Sequence, residues 1–201
     1  MLSRLYAIID ASCFADTAAL LAFAGELRAA GVSLFQYRNK SGSARTMLSH
    51  ARELRRKLPG ARLIMNDRAD LCLAADFDGV HVGQDDLSLQ GARRVVGEKL
   101  WVGISTHVPG QVQEAAASSA NYVAVGPVFP TSTKANPDPV IGLEGVRLAR
   151  SLTGKPLVAI GGITRQNCRS VIEAGADSVA VISDLLDNPA KSAEEFLRRL
   201  G

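Results

Sequence analysis

Three cysteines, Cys13, Cys72 and Cys168, are all that this chain of 201 residues contains. They lie far apart and none falls in a Cys-x-x-Cys pair, so a disulfide framework or a thiolate zinc site is not expected, and reduced thiols are. Long hydrophobic runs are missing. The first segment, MLSRLYAIID, breaks at Asp10 without a signal-type apolar stretch or a small-residue cleavage site. No other run approaches the roughly 20 residues that cross a bilayer. A soluble, cytoplasmic chain with no membrane partner is the expectation. Charge of one sign is also lacking. The formal net charge of +3 is spread thinly, and its densest run, Arg52 to Lys57, reads as the solvated face of a helix. Nucleic acid is therefore not an expected partner. No linker or low-complexity segment divides the chain, so residues 1–201 are read as one domain.

What is present is ordinary globular composition, 47% hydrophobic and 21% charged, enough for one core. Short apolar runs alternate with amphipathic stretches from end to end. The runs Leu5–Ile9, Leu34–Arg38, Leu63–Asn66, Gly79–Val82, Trp101–Ser105, Tyr122–Val125, Leu157–Ile160 and Ser178–Ile182 read as strands. Helical patterns fill the intervals. Asp16 opens the first and Gly31 closes it; Ser43 opens the second and Pro59-Gly60 stops it. The others cover Arg68–Ala75, Ser88–Val96, Pro109–Ser119, Leu143–Leu152, Arg165–Ala174 and Pro189–Leu200. Strict alternation requires parallel strands joined by crossover helices. Eight such units in this length predict an α/β single-domain (β/α)8 TIM barrel. A doubly wound open sheet is the alternative, but it favours a glycine-rich first turn, which is missing after Asp10.

In a barrel, chemistry collects where strands end. The second strand carries Gln36, Arg38 and Lys40, whose period of two puts them on one side of an extended segment. Two cations directed into a barrel are costly unless an anion or neighbouring carboxylates neutralise them. The third strand ends in Asn66-Asp67, and the fourth leads into Gln84-Asp85-Asp86. Two carboxylates from adjacent strand ends suit Mg2+, which takes one or two carboxylates plus water and substrate phosphate. The bland reading makes Asp67 and Asp86 helix caps. Ser105 and His107 end the fifth strand, His107 being either a general base or a cap.

The stretch Asn121–Lys134 runs from a buried strand through Gly126-Pro127 into Thr131, Ser132, Thr133 and Lys134, hydroxyls and an ammonium placed to hold an anion. Gly161-Gly162 after the seventh strand and Ile182-Ser183 after the eighth offer backbone N–H groups to a phosphate. No Ser/His/Asp set and no activated cysteine is evident. Cations, a divalent metal and a separate phosphate pocket point to displacement of diphosphate.

Seven motifs then fall in register: Gln-x-Arg-x-Lys at 36–40, Asn66-Asp67, DGVHVGQ-x-D at 78–86, G-x-S-x-H at 103–107, GP-x-F-x-T-x-T-K at 126–134, AIGGI at 159–163, and the V-x-S ending at Ser183. Together they resemble the thiamine phosphate synthase family over nearly the whole chain. The resemblance implies a Mg2+-using barrel enzyme that joins hydroxymethylpyrimidine diphosphate to a thiazole phosphate and releases diphosphate. It implies that Gln36, Tyr37, Arg38, Asn39, Lys40, Asn66, Ser105 and Lys134 hold the pyrimidine diphosphate, with Arg38, Ser105 and Lys134 catalytic. By the same resemblance Asp67 and Asp86 ligate the metal. Thr131, Ser132, Thr133, Gly162, Ile182 and Ser183 take the thiazole phosphate. The chain departs from the family at Ile9, where Thr commonly precedes Asp10. Asp85 adjoins Asp86, though the pattern points to Asp86. Ala135–Ile141, with two prolines, reads as a lid-like loop. Two other functions are the alternatives: an isomerase of the sister thiazole tautomerase type, and a barrel that binds a phosphate ligand without turnover. Tautomerases tend to lack the Gln-x-Asp and the full T-x-T-K that stand here, and a sensor of one phosphate needs neither the Asp67/Asp86 pair nor Arg38 and Lys40.

Overall fold

The computed structural model describes residues 2–131 and 138–201. Each apolar run forms a strand: β1 Leu5–Asp10, β2 Leu34–Arg38, β3 Arg62–Asn66, β4 Gly79–Val82, β5 Trp101–Thr106, β6 Tyr122–Val125, β7 Leu157–Ile160 and β8 Ser178–Val181. Every strand is parallel to its neighbours, and β1 pairs β8 through Ala7 and Val181, so the sheet closes into a barrel. Between them lie α1 Thr17–Ala29, α2 Ala44–Lys57, α3 Ala69–Ala74, α4 Leu89–Val96, α5 Pro109–Ala117, α6 Gly142–Leu152 and α7 Cys168–Glu173, with α8 Pro189–Leu200 ending the chain. This is the (β/α)8 barrel the alternation predicts.

The helix starts follow from local chemistry. Asp16, Ser43 and Ser88 each accept a first-turn N–H, from Ala19 at 2.8 Å, Thr46 at 3.1 Å and Gly91 at 3.1 Å, and so satisfy donors the helix cannot. Most boundaries fall within a residue or two of expectation, and two of those that differ lie beside the cavity. The seventh helix starts at Cys168 rather than Arg165; residues 165–167 form a turn in which the Arg165 N–H is taken by the Asp184 carboxylate at 2.7 Å. Asn167 meanwhile closes its own turn on Thr164 N–H at 2.8 Å. The eighth strand stops at Val181, since Ser183–Leu185 turns into a 3₁₀ helix.

Side-chain alternation divides the apolar residues into two cores. The larger lies between sheet and helices, where Leu5, Phe35, Leu63, Val102, Val123 and Val179 meet Leu20, Leu27, Leu54, Val146 and Phe196. The smaller fills the barrel and is made of Tyr6, Ile8, Leu34, Ile64, Tyr122, Ala124, Val158 and Ala180. Gly103 is what lets Tyr122 cross that interior. A Cβ there would stand 2.0 Å from the ring's Cζ and 2.4 Å from its hydroxyl. The same alternation turns Gln36 and Arg38 inward with Ile8 and Ile64, and turns Tyr37 outward.

Candidate active site

At the C-terminal mouth the strands enclose a cavity of about 580 Å³. Small side chains make its floor: Ala124 and Ala180 lie there with Ile8, Val158 and Ile160. The strand ends supply its polar rim. Gln36, Arg38 and Lys40 come from β2, and Asn66 and Asp67 from β3. His81, Gln84, Asp85 and Asp86 follow β4, with Ser105 and His107 at the end of β5. Thr131 completes that side, while Gly161, Gly162, Ile182 and Ser183 close the other.

One pole of this rim is ionic. Arg38 is fixed by a direct ion pair to Asp10, which is 3% exposed; the other Asp10 oxygen accepts Ser12 N–H at 3.0 Å and Ser12 hydroxyl at 2.7 Å. Lys40 Nζ lies 2.5 Å from Asp67 and 3.5 Å from Asp86, bridging the two carboxylates. Burial pulls the Lys40 ammonium down, but the two carboxylates outweigh it and its pKa stands above the ordinary lysine value. The carboxyls themselves split. Burial and the neighbouring Asp86 raise Asp67 against the pull of Lys40. Asp86 goes down despite its burial, because Asp67, the Gly83 N–H and Lys40 all hydrogen-bond to it. Two carboxyls thus stand against one another beside one ammonium.

Such a pair fits a divalent cation, which would relieve the like-charge contact and leave further coordination to water and phosphate. Among the described residues there is no group of three or more His, Cys, Asp or Glu that could hold a metal without such help. The reading of Asp67 and Asp86 as helix caps does not survive. Arg68 stands at the start of α3 without a side-chain cap, and Asp67 has φ 61, a left-handed conformation that aims its carboxylate at Lys40. Ser88 caps α4, while Asp86 holds its own loop through Gly83 N–H at 2.9 Å.

The opposite pole is backbone. Gly161 and Gly162 have φ of +101 and +62. A Cβ on Gly162 would come within 2.5 Å of Pro130 O, so only glycine lets the loops after β6 and β7 meet here. The loop after β7 is tied to that after β8 by Arg165, whose N–H and Nε reach Asp184 at 2.7 and 3.1 Å.

Not every residue expected at the site arrives there. Tyr37 and Asn39 do not line the cavity. The Tyr37 ring faces the helices, its hydroxyl 2.9 Å from His50 Nδ1 and 3.1 Å from Asn39 Nδ2. Asn39 Oδ1 accepts Gly42 N–H at 2.7 Å and so shapes the turn that carries Lys40. The period of two explains the placement: both occupy the odd, outward places between Gln36, Arg38 and Lys40. Ser132, Thr133 and Lys134 lie outside the described residues, as do Ala135, Asn136 and Pro137 of the expected lid-like loop; Asp138, from the same loop, reaches His107 Nδ1 at 3.4 Å. His107 does not cap α5 with its ring. Gln111 Oε1 accepts its backbone N–H at 2.8 Å, and ring Nδ1 sits 2.8 Å from Gly126 O, an acceptor, so Nδ1 carries the proton.

Several cavity residues escape a reading of single motifs. Gln36 Nε2 donates to Tyr6 hydroxyl at 2.9 Å, and the Tyr6 and Tyr122 hydroxyls are 3.0 Å apart. His81 Nδ1 lies 2.9 Å from Tyr122 hydroxyl, and its Nε2 lies 2.9 Å from Ser105 Oγ. The His81 and Tyr122 rings stack at 5.5 Å. Burial drives the His81 pKa down to about 4, so the ring is neutral, and burial raises both tyrosines above the ordinary phenol value. The inward parity of Tyr6, His81 and Asp10 was the available signal; it is visible only once the strand register is known.

The fold and rim define a class: a parallel-barrel enzyme with a small-molecule cavity at the strand ends, ionic at one edge and glycine-lined at the other. The particular family follows from comparison. The profile of the family described as Thiamine monophosphate synthase matches residues 5–185, and the chain belongs to that family. A thiamine-phosphate synthase of Koribacter versatilis is 63% identical over 203 aligned residues, which span 99% of this chain and 96% of that one. A thiamine-phosphate synthase of Agrobacterium fabrum is 41% identical, over 96% of this chain and 91% of its own. Among solved structures, the thiamine phosphate pyrophosphorylase of Pyrococcus furiosus superposes with a TM-score of 0.87 at 31% identity, covering 98% of this chain and 95% of that one. The activity is that of a thiamine-phosphate synthase, a transferase.

Proposed function

We propose that the cavity binds hydroxymethylpyrimidine diphosphate at its ionic pole and a thiazole phosphate at its backbone pole, and joins them with loss of diphosphate. The observation that carries this reading is the separation of the poles: Arg38, Lys40, Asp67 and Asp86 stand on one side, Gly161, Gly162, Ile182 and Ser183 on the other, around one small-residue floor. Arg38 and Lys40 hold the diphosphate, and Lys134, from the segment after Thr131, joins them there. Asn66 adds a donor, for its buried Nδ2 has no partner among the described residues and belongs to a cavity-lining side chain. Thr131, Ser132 and Thr133 contact the thiazole, with the backbone around Gly162, Ile182 and Ser183 on its phosphate.

Asp67 and Asp86 are the residues that would hold Mg2+, which supplies charge to the departing diphosphate when bound. Breaking the bond between the pyrimidinylmethyl carbon and oxygen sends both electrons to the diphosphate. The thiazole nitrogen then gives its lone pair to the methylene carbon, closing the new C–N bond. No protein nucleophile takes part. The residues orient both partners, stabilise the leaving group and let the apolar floor keep water from the cation. Soluble, cytoplasmic operation on small molecules accords with this chemistry, and no helix among the described residues is long and apolar enough to cross a membrane.

The test is diphosphate release by purified protein, with each substrate alone, with both, and with or without Mg2+. Release that needs both substrates and the metal is expected. No release, with thiazole phosphate still bound, would sink the assignment of the ionic pole.

A further inference from the structure

The chain of contacts Gln36–Tyr6–Tyr122–His81–Ser105 crosses the barrel directly beneath the cavity and joins two residues assigned to the pyrimidine. Its direction follows from counting hydrogens. Gln36 Nε2 gives a hydrogen to Tyr6 hydroxyl at 2.9 Å. Tyr6 has one hydrogen of its own, and its other partner is Tyr122 hydroxyl at 3.0 Å, so Tyr6 donates there. Tyr122, having accepted, gives its hydrogen to His81 Nδ1 at 2.9 Å. Neutral imidazole has one N–H; with Nδ1 accepting, Nε2 carries it and donates to Ser105 Oγ at 2.9 Å. The Ser105 hydroxyl hydrogen is then left to point into the cavity, while Gln36 keeps its carbonyl oxygen for the same space. Reversing any one link reverses all of them, because each middle member has one hydrogen to give. The two ends are thus always opposite in character, one donor and one acceptor.

We propose that Tyr6, Tyr122 and His81 are positioning residues that fix Gln36 as acceptor and Ser105 as donor, so that the cavity selects a flat heteroaromatic ring bearing an amino group beside a ring nitrogen. This rests on the pyrimidine reading above. The exocyclic amine of an aminopyrimidine gives its N–H to the Gln36 carbonyl, and the ring nitrogen accepts from Ser105. Ala124 and Ala180 leave a shallow floor on which a planar ring can lie. Fixing both partners beforehand removes the ordering cost that a free amide and a free hydroxyl would meet on binding. The opposite pattern, with an oxo group where the amine stands, meets two like groups and is rejected.

Two measurements test the proposal. The first is nitrogen NMR of the ¹⁵N-histidine-labelled chain near pH 7.5, which reads the His81 tautomer without any activity. Hydrogen on Nε2 is expected, and hydrogen on Nδ1 would overturn the proposal. The second compares binding of the aminopyrimidine monophosphate with that of its analogue carrying hydrogen in place of the amine. The parent chain should prefer the amine by about tenfold or more. Tyr122→Phe keeps the stacked ring and removes the link, so its preference should shrink to about threefold or less while thiazole phosphate binding stays within about twofold. Full preference retained by Tyr122→Phe would overturn the proposal, since the ends would then be set independently. Tyr6→Phe gives the same readout if the Tyr122 variant does not fold. A parent chain that binds neither pyrimidine would instead overturn the substrate reading and the ligand half of this proposal; the tautomer still decides the direction of the chain.

Discussion

At the scale of single residues, the site turns on how charge and hydrogen bonds are shared. Asp67 is held with a raised pKa because it is partly buried and, secondarily, because a second carboxylate shares its corner. Replacing it should leave the cavity's shape alone and remove one of the two carboxylates proposed above to hold Mg2+. Asp67→Ala is expected to lose about a hundredfold in Mg2+-dependent rate while thiazole phosphate affinity, read by calorimetry, stays nearly constant. Equal loss of both would make the carboxylate a structural one. His81 supplies a second prediction, in stability. Its folded pKa of about 4 lies below the ordinary histidine value, so the unfolded chain binds more protons between the two. The stabilising contribution is fully present above about pH 6.5 and is lost as pH falls toward 4, amounting to about 3 kcal/mol. Between pH 7 and pH 4 the unfolding free energy of the parent chain, read by urea, should fall by about that amount more than that of His81→Asn; equal falls would contradict a buried neutral ring. Parity alone made Gln36, Arg38 and Lys40 legible, since they share one strand. Tyr6, Tyr122 and His81 were not, because three strands must be set in register before their polar atoms meet.

At the scale of elements, the strands were legible because each is a short run of branched and small apolar residues bounded by turn formers. The ends of β8 and α7 were not, because contacts between distant loops surround them, Arg165 and Asp184 standing 19 residues apart. Asp184 captures the backbone N–H of Arg165 and ties the loop after β7 to the loop after β8. The same capture sets the spacing of the two loops that line the backbone pole. Asp184→Ala should therefore raise the KM for thiazole phosphate by about tenfold and leave that for the pyrimidine diphosphate within about twofold. Both constants come from one steady-state series with each substrate varied in turn. A larger effect on the pyrimidine would move the thiazole phosphate to the other side of the cavity.

At the scale of the whole molecule, closure of β1 onto β8 leaves no strand with an unpaired side. Amide exchange should then be as slow at Ala7 and Val181 as in β4 and β5, and early exchange of β8 would mean that the sheet opens at that seam. Alternation predicted this closure, because eight crossover units have few other ways to bury both faces of a parallel sheet. The interior itself carries a historical constraint. Gly103 and Tyr122 share one volume, 2.0 Å being no distance for two carbons. Neither position can drift alone: a methyl at 103 needs a smaller residue at 122 first, and that step would discard the hydroxyl through which Tyr6 and His81 communicate. Descendants of this barrel must therefore change the pair together or keep both, and a redesign that enlarges the cavity from below has to begin with those two positions at once.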